Sequence, residues 1–258
     1  MLNYKKLDRE ITQSKMNREE IFQSLNRLRK GLLQIIIVFI LLGIIIFPFS
    51  KTLLRYLYET NLKADLVAFA IPEAFFSILK LNLYASLFFS IPMIFYQAWK
   101  SFAPLFRLKE FKSSFPILLT ALFLFYLGAF FCYFVTLPFG VRFLLGYQSA
   151  HIKPMISVGK YVSFCAVFIF GFGLTFELPL ILALLSYIRV VNAAFLTRNR
   201  RYAILLIAII AAVVTPTPDI FNMGLMGVPL YLLFEVGVIL VKVIERRRAA
   251  AAAPVSEN

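Results

Sequence analysis

Residues 171–179 read GFGLTFELP, and they place Glu177 inside a long apolar run. Between Tyr161 and Tyr187 this glutamate is the only charged residue, and the run exceeds the roughly 20 apolar residues that cross a bilayer. A carboxylate at that depth is costly unless it faces water or a partner, so Glu177 is a candidate functional residue. Pro179 removes one backbone hydrogen bond beside the acid, which predicts a bent helix. The stretch therefore predicts a membrane protein with a polar site at a helix bend.

The composition of the whole chain also indicates a membrane protein. The chain has 258 residues, of which 61% are hydrophobic, and its mean hydropathy is +0.83. Soluble domains are only about 45–50% apolar. The net charge of +14 does not predict nucleic-acid binding, because the basic residues cluster between apolar runs and so indicate topology and anionic lipid. Cys132 and Cys165 lie in apolar runs and are expected to be buried, without a disulfide framework.

Six apolar runs predict an all-α polytopic membrane protein with six transmembrane helices. The runs lie near residues 31–49, 73–97, 115–137, 161–187, 203–216 and 222–243. The fifth run is short, because only 14 residues separate Arg201 from Pro216. That length gives about 21 Å of helix, against a hydrocarbon core of about 30 Å. We therefore expect the fifth and sixth helices to be short or strongly tilted, and the membrane near the fifth to be thinned or wetted.

The chain divides into three parts. Residues 1–30 form a cytoplasmic segment, and the stretch 17–33 carries one apolar stripe at helical spacing, which predicts an interfacial amphipathic helix. The stripe consists of Ile21, Leu25, Leu28 and Leu32. Residues 31–243 form the transmembrane domain, and residues 244–258 are expected to be a disordered cytoplasmic tail.

The distribution of positive charge predicts the orientation. With the N-terminus inside, the inner segments carry 20 of the 27 Lys and Arg residues and the outer segments carry 6. The inner segments are 1–30, 98–114, 188–202 and 242–258, and the outer segments are 50–72, 138–160 and 217–221. This asymmetry predicts that both termini lie in the cytoplasm.

Four further ionisable residues fall at or within the predicted spans. Lys80 lies two helical turns after Glu73, roughly 10 Å along the helix, too far for a direct ion pair. Glu73 is equally compatible with capping a helix and with function. Asp219 is better explained as a cap of the sixth helix than as a group at the mouth of a recess. Glu235 is compatible with a bond to a neighbouring helix or with a water-facing role.

The predicted loop between the second and third spans contains one acid, Glu110. Its neighbours Arg107, Lys109 and Lys112 are basic, so by itself the loop reads as a locally neutralised surface. Other chemistries have no motif in the sequence. The single histidine, His151, has no cluster of metal ligands around it, and neither a phosphate-binding loop nor a nucleophile elbow is present. We therefore expect no enzyme activity, no metal and no cofactor.

An ordered set of motifs resembles the TatC family, the membrane receptor subunit of the twin-arginine protein translocase. The motifs are YQAW at 96–99, FAPLF at 102–106 with Glu110, FYLG at 125–128, FGLTFELP at 172–179, TPTPD at 215–219 and PLYLLFEVG at 229–237. Each motif is weak alone, but together they run in the family's order and span roughly residues 24–243.

The resemblance implies a fold, partners and site residues. The fold would be a concave, glove-like wall of six helices with both termini cytoplasmic. The partners would be Arg-Arg signal peptides of folded cargo, TatA/TatB-type single-span proteins, further copies of the chain and membrane lipid, with transport driven by the proton-motive force. The bacterial cytoplasmic membrane is the expected location, with thylakoid and mitochondrial inner membranes as alternatives. Glu110, with Arg107, would contact the signal peptide. Intramembrane polar contacts would come from Glu177, Gln97, Glu235, Asp219, Glu73 and Lys80.

One position departs from the family pattern. The family carries His-Leu-x-Glu-Leu-Arg before the first span, whereas residues 24–29 here read SLNRLR and place Arg27 where the acid is expected. Arg27 would repel an arginine pair, and Glu20, about two turns earlier, is a candidate substitute. This departure keeps a second function open, a scaffold that assembles partner helices without binding signals. The intramembrane acids keep a third open, an ion-coupled transporter that uses Glu177 and Glu235 as proton relays, although the sequence lacks the repeated halves typical of that class.

Overall fold

A computed structural model of the chain describes residues 29–61, 66–102, 111–146, 155–214 and 220–252. The described part is almost entirely helical. Its helices are α1 (residues 29–46), α2 (Ser50–Asn61), α3 (Glu73–Phe102), α4 (Phe111–Phe131), α5 (Leu137–Leu145), α6 (Val158–Phe176), α7 (Leu178–Tyr187), α8 (Ala193–Arg198), α9 (Arg200–Val214) and α10 (Ile220–Ala252). A 3-10 turn, Phe47–Phe49, joins α1 to α2, and a π-helical turn, Cys132–Thr136, joins α4 to α5.

Within the described residues, five helical stretches are long and apolar enough to cross a membrane. They are Arg29–Glu59, Glu73–Ser101, Phe115–Phe143, Val158–Tyr187 and Met223–Ala249. The fifth predicted segment corresponds to α9, whose 15 residues give about 22 Å of helix. Large apolar side chains are exposed along all these helices, for example at Ile44, Phe123 and Leu232. Such a surface requires lipid around it, so the prediction of an all-α polytopic membrane protein is confirmed.

The sixth helix is not short, so of the two predicted alternatives, short or strongly tilted, only a strong tilt stays a prediction. Helix α10 has 33 residues, about 50 Å, and it continues through residues 244–252, which were expected to be a disordered tail. Residues 253–258 lie outside the described part. Hydropathy missed this extension because the stretch is rich in arginine and alanine, which are polar or small but are strong helix formers.

The end of α10 is held by side-chain bonds to the turn after α7. Arg248 donates from Nη1 to the carbonyl of Ser186 at 3.1 Å and from Nη2 to that of Tyr187 at 2.5 Å, and its guanidinium lies 5.0 Å from the Tyr187 ring centroid. Glu245 accepts from the backbone N–H of Ala193 at 3.0 Å. One helix end thus bonds to the last two carbonyls of α7 and to the first N–H of α8, which stabilises an extension that hydropathy alone does not predict.

The core forms where α4 and α3 pack on α6 and where α7 packs on α10. Glycines allow the closest of these approaches. A Cβ on Gly128 of α4 would lie 2.6 Å from the Phe172 carbonyl oxygen, and a Cβ on Gly173 of α6 would lie 2.6 Å from the Phe125 ring. Both rings, Phe125 and Phe172, are completely buried. The α4–α6 contact is therefore a backbone-to-backbone contact that only glycine permits.

Short elements tie the helices together at one end of the bundle. Two short strands, β1 (Leu66–Val67) and β2 (Ile156–Ser157), pair in parallel there. The Tyr161 hydroxyl donates to the Leu57 carbonyl at 3.0 Å and so ties α6 to α2. We call this end, defined by α2, β1 and β2, the cap end. The opposite end carries α8 and the C-terminal part of α10.

Candidate functional site

Glu177 lies at the break between α6 and α7. Helix α6 ends at Phe176 and α7 begins at Leu178, with Pro179 in its first turn. The Glu177 N–H donates to the Leu174 carbonyl at 3.2 Å, and the Glu177 carbonyl accepts from Ile181 at 2.9 Å. The predicted bend is present, in the form of two helices rather than one curved helix. The reason is local, because Pro179 has no N–H with which to continue the ladder.

The Glu177 side chain is buried and incompletely bonded. It is 7% exposed, and its Oε1 has no hydrogen-bond partner among the described residues. The carboxylate interacts with the backbone of Phe125 on α4. A buried polar atom without a partner costs about 1–3 kcal/mol, and more when it is charged. Glu177 is therefore suited to accept a hydrogen bond from a polar group that another molecule brings into the membrane.

Gln97 joins the first two long helices. Its Nε2 donates to Oε1 of Gln34 on α1, and the side chain is buried. Gly31 lies against it, since a Cβ there would be 3.1 Å from the Gln97 Oε1. This hydrogen bond between amides on two apolar helices satisfies one polar atom of each side chain and helps to fix the helix register. The structure thus gives Gln97 a bond within the protein.

Glu235 is bonded to a neighbouring helix. Its Oε2 lies 2.9 Å from Nη2 of Arg200, the first residue of α9, and its Oε1 accepts from the Tyr231 hydroxyl at 2.9 Å. The side chains of Arg200 and Glu235 are 45% and 25% exposed. The bond to a neighbouring helix, one of the two explanations that the sequence left open, is present, and it anchors α9 to α10.

Glu73 is hydrogen-bonded within the protein, and a functional role for it stays a prediction. It begins α3, and its Oε2 accepts from the Phe69 N–H at 2.6 Å. Its Oε1 accepts from the Ser157 hydroxyl, whose oxygen also accepts from the Lys160 N–H at 3.2 Å. Glu73 therefore links the loop before α3 to the start of α6 at the cap end. Lys80 is exposed on α3, and neither of the two ion pairs found among the described residues includes it.

Replacing Glu73 with alanine is expected to loosen the cap end. The Phe69 N–H and the Ser157 hydroxyl lose their acceptor, and hydrogen bonds to a charged group are each worth about 1.5–3 kcal/mol. We expect amide hydrogen exchange at Phe69 to accelerate at least about tenfold. The matched control is Glu59→Ala, which removes an exposed acid from an ion pair with Arg55 at the same end. Equal exchange in the two variants would contradict the link.

The described site residues do not form one cluster. Glu73 and Gln97 lie 24 residues apart on α3, about 36 Å by helix rise, and thus near its opposite ends. No hydrogen bond or ion pair among the described residues joins any two of Glu73, Lys80, Gln97, Glu177 and Glu235. The other predicted residues, Glu20, Arg107, Glu110 and Asp219, lie outside the described ranges. Over the described ranges, no group of three or more His, Cys, Asp or Glu could hold a metal ion.

The sequence did not single out the residues that bond to these polar groups. Nothing in the sequence around these partners marks them as bonding residues; they are Gln34, Ser157, Arg200 and Tyr231. Tyr231 had one usable signal, because it lies four residues before Glu235 on one helix face. The others are 35 to 84 residues away from their partners along the chain, so only the packing brings them together.

The fold and these sites define a class: an integral membrane protein built from apolar helices, with a buried acid at a helix break whose Oε1 has no hydrogen-bond partner among the described residues. Comparison with known proteins identifies the family within this class. The family model described as Sec-independent protein translocase protein (TatC) matches residues 23–229. The chain therefore belongs to the TatC family.

Individual relatives agree with this assignment. The TatC protein of Carboxydothermus hydrogenoformans is 34% identical over 227 residues, covering 87% of this chain and 93% of the relative. The TatC protein of Aquifex aeolicus is 33% identical, covering 88% of this chain and 96% of the relative. A crystal structure of the twin-arginine translocase receptor TatC aligns with a TM-score of 0.74 at 32% identity, covering 85% of this chain and 98% of that one.

Proposed function

We propose that this chain is the receptor subunit of a twin-arginine protein translocase in a bacterial cytoplasmic membrane. It binds Arg-Arg signal peptides of folded cargo and organises TatA/TatB-type single-span partners for proton-motive-force-driven export. The observation that carries the proposal is the similarity to a twin-arginine translocase receptor over 85% of this chain and 98% of that receptor. The sequence contains no phosphate-binding loop of the Gly-x-x-x-x-Gly-Lys type, which is consistent with an energy source other than nucleotide.

Two acids have distinct roles in this proposal. Glu110, in the basic loop between α3 and α4, binds the arginine pair, since guanidinium–carboxylate hydrogen bonds are bidentate and charge-assisted. Glu177 lies in the membrane and accepts a hydrogen bond from the signal peptide or a partner helix. Its buried, unpartnered Oε1 supports this role, because such a contact would satisfy a group that the described residues leave unsatisfied.

The test is export of a folded reporter with an Arg-Arg signal in cells that lack their own TatC. We expect this chain, supplied with its TatA/TatB-type partners, to restore export, and a Lys-Lys version of the signal to abolish it. An absence of export from cells in which the chain is inserted and stable would contradict the proposal.

A second function, a scaffold without signal binding, is favoured by one observation: Arg27 stands where the family has an acid. The variant Arg27→Glu separates the two. Because it replaces a repelling charge with an attracting one, we expect export of the Arg-Arg reporter to increase, and Arg29→Glu is the neighbouring charge control. Partner assembly without signal crosslinking, in wild type and variant alike, would favour the scaffold.

A further inference from the structure

An apolar cavity opens in the side of the bundle between α3, α4 and α6. Its volume is about 430 Å³, within the roughly 300–1,000 Å³ typical of small-molecule sites. Its floor includes Leu57, Val162 and Cys165, all at most 8% exposed. Its rim includes Phe89, Phe130 and Phe134, which are 55%, 61% and 52% exposed. The cavity therefore opens onto the outer surface of the helices, where lipid lies.

The cavity lies at the level of the hydrocarbon core of the membrane. Helix α3 lines it from Leu81 to Phe89, and α6 lines it from Val162 to Phe170. Counted from the first residues of those helices at the cap end, these positions lie about 6–24 Å along the helix axes. Because the hydrocarbon core is about 30 Å thick, the cavity faces acyl chains rather than headgroups or water.

The polar groups in the lining are three tyrosine hydroxyls, those of Tyr84, Tyr126 and Tyr133, and the Cys165 thiol. None of the described residues that line the cavity is charged. The hydroxyl of Tyr126 donates to the Phe88 carbonyl at 3.3 Å, and that of Tyr133 donates to the Tyr56 carbonyl at 3.1 Å. Apolar cavities of this kind do not hold water, so the occupant is apolar.

The cavity is too small to hold more than about one turn of a helix. An α-helix with its side chains is about 10–12 Å wide, so 430 Å³ corresponds to about 4–5.5 Å of its length, and one turn rises 5.4 Å. A flexible hydrocarbon chain is thinner and can enter through the aromatic rim. We propose that this cavity is a lipid site that holds one acyl chain of a membrane phospholipid, which fills the gap between α3 and α4 where both pack on α6.

The test uses the full-length protein and native mass spectrometry after detergent washing that removes loosely bound lipid. We expect wild-type protein to retain one phospholipid, with phosphatidylglycerol and phosphatidylethanolamine retained equally because no charge lines the cavity. Ala129→Phe and Ala166→Phe each place a ring in the cavity from a different helix, and we expect retention to fall at least about tenfold. The control Leu127→Phe adds the same ring on α4 at an exposed position outside the cavity and is expected to retain the lipid.

A measurement on the wild-type protein tests whether an acyl chain occupies the cavity, even if the cavity-filling variants fold poorly. A phospholipid with a photoreactive group in mid-chain is expected to crosslink to peptides that contain Phe130 or Ile169. Crosslinks spread evenly over the lipid-facing helices would overturn the proposal, as would a wild type that retains no phospholipid. Capture of a signal peptide or a second chain by a photoreactive residue at position 129, in place of lipid, would overturn it as well.

Discussion

Replacing Gly128 with alanine is expected to destabilise the protein by about 3 kcal/mol, the upper end of the usual cost of overpacking. The new Cβ would lie 2.6 Å from the Phe172 carbonyl oxygen and 2.7 Å from Cγ of Phe176. A backbone oxygen moves only if α6 moves, and α6 packs on both α3 and α4. We expect a lower midpoint of thermal unfolding in detergent and a lower yield of folded protein.

The same substitution at Gly227 provides the control. A Cβ there meets no atom within 4 Å, although Gly227 is also in a helix, α10. Alanine is favoured over glycine in helix interiors by about 0.5–1 kcal/mol, so Gly227→Ala is expected to be neutral or stabilising. Equal unfolding midpoints for the two variants would refute the close α4–α6 contact. Gly173→Ala is expected to cost less than Gly128→Ala, because its nearest neighbours are atoms of the Phe125 ring rather than backbone.

Replacing Glu110 with alanine is expected to reduce binding of an Arg-Arg signal peptide about 10- to 100-fold. This follows from the loss of a hydrogen-bonded charge pair worth about 1.5–3 kcal/mol, since each 1.4 kcal/mol is a factor of ten. The measurement is photocrosslinking of a labelled signal peptide to the chain in membranes. Because the pair is electrostatic and lies near water, we also expect wild-type crosslinking to weaken as salt is raised.

Two further variants make this prediction specific. Glu110→Gln retains the shape of the side chain without its charge and is expected to lose most of the binding, because the amide cannot form a charge-assisted pair. Glu59→Ala removes an acid whose ion pair with Arg55 lies at the cap end, and it should leave crosslinking unchanged. Crosslinking in Glu110→Ala at the wild-type level would show that Glu110 does not bind the signal peptide, and Glu20 would then be the candidate acid.

The sequence predicted the positions of the helices well wherever a helix is marked by a long apolar run. The run 161–187 corresponds to α6 and α7, and the break falls beside Pro179 as expected. The run 222–243 located α10 but not its end, because hydropathy does not register an arginine- and alanine-rich helix held by Arg248. The order of motifs was enough to identify the family.

The candidate site was predictable in part, for a physical reason. An acid inside an apolar run is visible in the sequence, so Glu177, Glu73 and Glu235 could be selected. Their bonding state was not visible, because Ser157 lies 84 residues from Glu73 and Arg200 lies 35 residues from Glu235. Two of these acids proved to be bonded within the protein, whereas Glu177 keeps an unpartnered oxygen among the described residues.

The sequence by itself determined that this protein crosses a membrane, where its long apolar helices lie, where one of them breaks and to which family it belongs. Those features depend on short windows of the chain, because hydrophobic length and the missing N–H of a proline act locally. Only the tertiary structure decided which polar groups pair, that Gly128 touches the Phe172 backbone and that α3, α4 and α6 leave a cavity. Those features depend on how helices distant in the chain rotate and approach one another, which packing settles.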